Sequence, residues 1–127
     1  MTSSGPARRR VLVVEDESLV GMEIEGAIEE LGYEVVGPIA ELHEALDVAV
    51  SEALCCAILD INIRGGNSYP VAEILRERGL PVLLLSGYDR QTLPERLRGE
   101  VLLAKPFTAE QLDIAIRNLC ARATVSV

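Results

Sequence analysis

Residues 10–20 read RVLVVEDESLV, and the fold follows from how this stretch changes character at its middle. Val11 to Val14 is an unbroken apolar run. A strand with one face in water alternates apolar and polar residues, so a continuous run is expected of a strand buried on both faces. The run stops abruptly at Glu15-Asp16. From Glu17 to Leu31 the apolar residues Leu19, Ile24, Ala27, Ile28 and Leu31 recur at near-helical spacing, and Gly32 supplies the stop. A doubly buried strand followed at once by a helix is the building unit of a parallel sheet covered on both sides.

Outward from this stretch the unit repeats. Glu34 to Gly37 predicts a short strand, and Glu41 to Ala53 a helix with Leu42, Ala45, Leu46, Ala49 and Val50 on one face. Cys56 to Leu59 predicts a second fully buried strand, ending at Asp60. Asn62 to Asn67 is expected to be a flexible loop broken by Gly65-Gly66. Tyr69 to Arg78 predicts a helix with Pro70 in its first turn, stopped by Gly79. Pro81 to Leu85 predicts a buried strand ending at Ser86, and Asp89 to Arg98 a weakly patterned helix containing Pro94. Val101 to Ala104 predicts the last strand, ending at Lys105-Pro106. Thr108 to Ala121 predicts the last helix, with Thr108 as N-cap and Gln111 closing a capping box.

Five strands alternating with five helices predict an α/β fold: a doubly wound five-stranded parallel sheet. Residues 1–8 read as a loose N-terminal segment, 9–121 as one domain and 122–127 as a tail. No internal repeat, linker or attached output module is apparent.

Composition narrows the function classes. The chain has 127 residues, 49% hydrophobic and 25% charged, enough apolar material for a packed core. A net charge of -8 repels phosphate backbones and argues against nucleic-acid binding. Three cysteines (Cys55, Cys56, Cys120) without a CxxC unit, beside a single histidine, fit reduced thiols better than a disulfide framework or a zinc site. No apolar run approaches the roughly 20 residues of a membrane helix, and MTSSGPARRR lacks the apolar region of a signal peptide. A cytoplasmic protein is expected.

The informative feature is where polar residues fall. In an open parallel sheet, ligands bind beyond the carboxyl ends of the strands. Four strand ends here carry Glu15-Asp16, Asp60, Ser86 and Lys105. Neighbouring carboxylates repel one another and raise each other's pKa values. An ammonium, Lys105, and a hard divalent cation with oxygen ligands offset this repulsion. Mg²⁺ is the natural choice and Mn²⁺ the alternative, with Glu15, Asp16, Asp60 and the backbone carbonyl of Asn62 as expected ligands. Asp60 then becomes a plausible nucleophile toward a phosphoryl group, because its charge and that of its target are neutralised. The Ser86 hydroxyl and the amides of Ile61 and Asn62 are candidate donors to phosphoryl oxygens. Taken singly, each residue also has a structural explanation. Glu15-Asp16 suits a helix N-terminus, Asp60 and Ser86-Gly87 suit turns, and Lys105 can be incidental. Their joint placement at four strand ends favours a shared site.

The stretches RVLVVEDESLV, AILDINI, LLLSG and AKPF together resemble the bacterial response-regulator receiver domain over about residues 9–121. The resemblance implies a flavodoxin-like (βα)5 fold with strand order 2-1-3-4-5. It implies that Glu15 and Asp16 bind the metal, Asp60 accepts the phosphoryl group, Ser86 is the switch hydroxyl, and Lys105 precedes a cis bond to Pro106. A histidine kinase or phosphotransfer protein would be the donor, and a downstream protein the reader of a switched face. Outside its own phosphorylation and dephosphorylation such a module is no enzyme, and a monomer or weak homodimer is expected. Two positions depart from the family pattern. Leu102 stands where an aromatic switch residue is usual, and Arg64-Gly65-Gly66 stands where a proline is common. Both features, with Ser86-Gly87-Tyr88, resemble a mostly single-domain subfamily with a Phe-Ala-Thr-Gly-like motif, which makes Tyr88 the candidate replacement aromatic.

Other classes fit less well. A haloacid-dehalogenase-like phosphatase also forms an aspartyl phosphate but wants a second aspartate where Asn62 stands. A flavin carrier wants a hydroxyl- and glycine-rich loop where Glu15-Asp16 places negative charge. A non-phosphorylated pseudo-receiver would not need the complete set of Glu15, Asp16, Asp60, Ser86 and Lys105. His43 and Arg8-Arg9-Arg10 read as surface residues, and Tyr69 as packing.

Overall fold

The computed structural model describes residues 10–87 and 90–125. In chain order they form β1 (Arg10–Val14), α1 (Ser18–Glu30), β2 (Glu34–Ile39), α2 (Leu42–Ser51), β3 (Cys56–Asp60), β4 (Asn62–Ile63), β5 (Gly66–Asn67), α3 (Tyr69–Glu77), β6 (Val82–Ser86), β7 (Val101–Ala104) and α4 (Ala109–Val125). The five long strands pair in parallel in the order β2-β1-β3-β6-β7. Counted among themselves, that is the expected 2-1-3-4-5.

Alternate side chains of each central strand enter opposite cores, as a strand period of two requires. Leu12, Val14, Ala57, Leu59 and Leu84 pack with Ala45 and Ala49 of α2 and Val71, Ala72 and Leu75 of α3. Val11, Val13, Ile58, Leu83 and Leu85 pack with Ile24 and Ile28 of α1 and Leu112 and Ile116 of α4. Both faces of β1, β3 and β6 are therefore covered, which is why those segments read as continuous apolar runs. Registers Val14↔Leu59, Asp60↔Leu85 and Ser86↔Ala104 bring the strand ends to one rim.

Several local expectations are corrected. The strand expected to stop at Gly37 continues to Ile39. Its register against β1 shifts between Leu12 and Val14, and Gly37 takes φ +114° where a Cβ would lie 2.6 Å from the Val13 carbonyl oxygen. Pro38 thus sits in an edge strand past an irregularity, a position that tolerates it. The expected flexible loop at 62–67 is an antiparallel hairpin of β4 and β5 with Gly65 at φ +96°. Backbone bonds tie it to the β2–α2 connection: Leu42 N–H to Arg64 O at 2.9 Å and Arg64 N–H to Ala40 O at 3.2 Å.

Among the described residues, the helix expected at 89–98 is replaced by two 3₁₀ turns, Arg90–Thr92 and Glu95–Leu97, and four α-helices rather than the expected five cover the sheet. Pro94 lacks an amide for a continuous helix. Leu93 and Leu97 still enter the core as helical residues would. The last helix was expected to end at Ala121 but runs to Val125, into the segment read as a tail. No glycine or proline after Ala121 stops it. Its capping box forms as expected, with Gln111 N–H donating to Thr108 Oγ1 (3.0 Å) and Thr108 N–H to Gln111 Oε1 (2.9 Å). Leu19, expected on the buried face of α1, is 81% exposed. Among the described residues no helix is long and apolar enough to cross a membrane.

Candidate functional site

Each polar residue at the rim is held by the strand that precedes it. Glu15 follows β1, and its amide donates to Ile39 O (2.9 Å), continuing the β1–β2 pairing by one residue. Asp60 is the last residue of β3 and Ser86 the last of β6. The Lys105 amide donates to Ser86 O (2.8 Å), which fixes Lys105 directly beyond β7, before the cis bond to Pro106. Glu15, Asp60 and Ser86 are buried at 3%, 6% and 3% exposure, an unusual density of polar groups for so small a domain.

The side chains converge. Carboxylate oxygens of Glu15, Asp16 and Asp60 lie within 4.8 Å of one another. The Lys105 ammonium is 3.2 Å from Asp60 Oδ2 and 3.5 Å from an oxygen of Glu15 and of Glu17. The Glu17 amide, at the N-terminus of α1, donates to Glu15 Oε2 (3.1 Å). One cation therefore serves several anions. Burial foremost, then the charge of Asp60, pushes the Glu15 carboxyl up to about 7, against the opposing pull of the Glu17 amide and Lys105. Partial burial works against the Lys105 ammonium, but the charges of Asp60, Glu15 and Glu17 outweigh it and raise its pKa.

That imbalance has a sign that can be checked. Glu15 binds its proton more tightly folded than unfolded, so its contribution to stability is greatest below the unfolded value near 4.5 and is lost as pH rises through about 7. In chelator, the melting temperature is expected to fall between about pH 5.5 and pH 7.5, and Glu15→Gln to flatten that slope. Thermal melts at the two pH values decide it: a wild-type protein no less stable at the higher pH removes Glu15 as the strained group.

Two residues escaped the sequence reading. Ser68 is fully buried, its hydroxyl donates to the Asp60 carbonyl (2.7 Å) and its amide to Ile61 O (2.8 Å). It clamps the backbone just past Asp60, and nothing in its spacing from Asp60 announces this. Glu17 joins Lys105 from the solvent side, a partner its adjacency to Glu15-Asp16 would have suggested. One expected donor is otherwise engaged. The Ile61 amide donates to Leu85 O (3.0 Å) and belongs to the sheet, because parallel pairing with β6 extends past Asp60. Asn62 lies exposed in β4, two residues beyond Asp60. Tyr88, the expected switch aromatic, lies outside the described residues, as do Arg8 and Arg9. Arg10 is no loose leader: it reaches Glu34, Glu52 and the Ala53 carbonyl. His43 is exposed, and Tyr69 packs against the α2–α3 core.

With this geometry in view, comparisons with known proteins bear on the family and the fold. A model of the response regulator receiver domain matches residues 11–117. The transcriptional regulatory protein PdtaR of Mycobacterium tuberculosis is 32% identical over 90% of this chain and 58% of its own length. The phyllosphere-induced regulator PhyR of Methylorubrum extorquens is 32% identical over 84% of this chain and 41% of its own. The chain thus spans about half the length of these curated relatives. The solution structure of SdrG from Sphingomonas melonis is 36% identical, covers 89% of this chain and 97% of that one, and superposes with a TM-score of 0.73.

Proposed function

This chain belongs to the response regulator receiver domain family of two-component signalling, and on that premise we propose that Asp60 takes a phosphoryl group from a phosphohistidine. What supports the reading is one juxtaposition: a buried carboxylate at the end of β3, 3.2 Å from an ammonium and within 4.8 Å of two further carboxylates. An Asp60 oxygen forms the new P–O bond as the P–N bond to the donor imidazole breaks. Lys105 neutralises charge on the transferring oxygens, and the Ser86 hydroxyl donates to one of them once transfer is complete. Ser68 keeps the backbone of Asp60 from shifting.

The donor set fits a hard divalent cation. Three carboxylates face one ammonium, and all their ligand atoms are oxygens. Glu15, Asp16, Asp60 and the Asn62 carbonyl would hold Mg²⁺ or Mn²⁺, which supplies positive charge to the phosphoryl oxygens. Incubation with a small acyl phosphate tests the reading: mass spectrometry should find one added phosphoryl group with Mg²⁺ and none in chelator. Equal modification in chelator would refute the metal's part.

The donor needs a docking surface beside Asp60. On the first turns of α1, next to Asp16, Leu19 and Met22 are 81% and 65% exposed at helical i, i+3 spacing. We read them as the apolar contact for a kinase or phosphotransfer helix. Leu19→Ser is expected to slow transfer from a phosphorylated kinase at least about tenfold, a loss typical of one apolar anchor. Labelling by acetyl phosphate should be unchanged, and equal slowing with both donors would mean that Leu19 acts on the site itself. The phosphorylated state is then read by another protein or domain at the face of the 3₁₀ turns, β7 and α4.

A further inference from the structure

Lys105 is shared between the buried rim and the solvent. Its ammonium lies 3.2 Å from Asp60 Oδ2 and 3.5 Å from Glu17 Oε1. The Asp60 side chain is buried, Lys105 is partly covered and Glu17 is mostly exposed, so Glu17 stands at the mouth of the site. It is the N-cap residue of α1, yet its side chain caps no amide of the helix and reaches Lys105 instead. Among the described residues, the carboxylates grouped closely enough to hold an ion are those of Glu15, Asp16 and Asp60, without Glu17. A cation held by that group leaves Glu17 with Lys105 as its counter-charge.

Resting on the reading of Asp60 as acceptor, we propose that Glu17 selects the donor: it favours a phosphoryl group carried on a protonated nitrogen group and opposes one carried on a carboxylate oxygen. In an in-line displacement the leaving group lies on the side of phosphorus away from the attacking Asp60 oxygen. Here that is the solvent side, where Glu17 stands. With either donor Asp60 gains a P–O bond. From a protonated N-phosphoryl donor the electron pair of the P–N bond leaves with nitrogen, and the group departs neutral. From an acyl phosphate the electron pair of the P–O bond leaves with oxygen, and the group departs as an anion. A carboxylate beside the leaving atom attracts the cationic nitrogen group and repels the negative charge that develops on the acyl oxygen.

Glu17 also acts through Lys105, as a positioning residue. An incoming phosphoryl oxygen takes the place on the ammonium that Glu17 holds in the resting protein. An ion pair with so exposed a partner is weak. Its release therefore costs little, and the cost is the same for every donor. The charge at the mouth is what differs between donors, and selectivity is a difference.

The test compares two small donors on the full chain with Mg²⁺: acetyl phosphate, and phosphoramidate, whose nitrogen is protonated. Mass spectrometry follows the rate of labelling with each. Glu17→Gln keeps the length of the side chain and removes its charge. It should speed labelling by acetyl phosphate about tenfold and by phosphoramidate only about twofold. Glu17→Asp keeps the charge on a shorter side chain, and its ratio of the two rates should stay nearer the wild type than that of Glu17→Gln. A purely structural effect of the substitution would move both donors together. A wild type labelled by both donors, with the same ratio of rates in Glu17→Gln, would overturn the selector role and leave Asp60 as acceptor. So would a Glu17→Asp ratio no nearer the wild type than that of Glu17→Gln. A wild type labelled by neither donor would overturn the acceptor reading and this inference with it.

Discussion

Asp60→Asn is expected to abolish phosphoryl labelling, from a phosphorylated kinase and from a small acyl phosphate alike, by a factor of at least about 1,000. An amide oxygen carries no charge and no longer attacks phosphorus, while shape and volume are retained. The same substitution removes the charge that ranks second, after burial, in raising the Glu15 carboxyl. The variant is therefore expected to fold, and in chelator at neutral pH to melt no lower than the wild type. That pairing of lost labelling with retained stability separates loss of the acceptor from loss of the fold. Phosphate still bound to the variant, in a form cleaved by hydroxylamine, would move the acceptor to another carboxylate such as Asp16.

Much of the fold was legible because the central strands are buried on both sides. Val11–Val14, Cys56–Leu59 and Val82–Leu85 have no polar face to present, and their apolar runs are the direct consequence of helices on each side. The convergence of Glu15, Asp16, Asp60 and Lys105 was legible for a related reason: parallel pairing forces strand ends to one rim. What escaped depends on contacts that local pattern does not encode. The β4–β5 hairpin is two residues per strand and is held by bonds to a distant connection. The segment around Pro94 has the leucine spacing of a helix, yet only 3₁₀ turns form where the proline amide is missing. Leu19 has helical spacing but faces outward, since periodicity marks a stripe without saying which edge of it is covered. Ser68 is a common turn residue in sequence, and only the fold brings its hydroxyl beneath Asp60.

Lys105→Ala is expected to move two measurable quantities in opposite directions. The ammonium lies 3.2 Å from Asp60 Oδ2, where a transferring phosphoryl group would also carry its charge. A charge pair at such a distance near a protein surface is worth on the order of 1–4 kcal/mol. Because each 1.4 kcal/mol is about tenfold in rate, loss of this one should slow phosphoryl transfer on the order of 100-fold. Affinity for Mg²⁺ should instead rise, about threefold to tenfold, because the same ammonium repels a cation drawn to Glu15, Asp16 and Asp60. Stability in chelator should fall, since Glu15 and Asp60 lose the counter-charge they share, and added Mg²⁺ should restore more of it than in the wild type. Titration calorimetry, melts with and without Mg²⁺, and single-turnover transfer measure the three. If metal affinity and transfer fell together, Lys105 would be supporting the shape of the rim, and its role as counter-charge to the phosphoryl group would be lost.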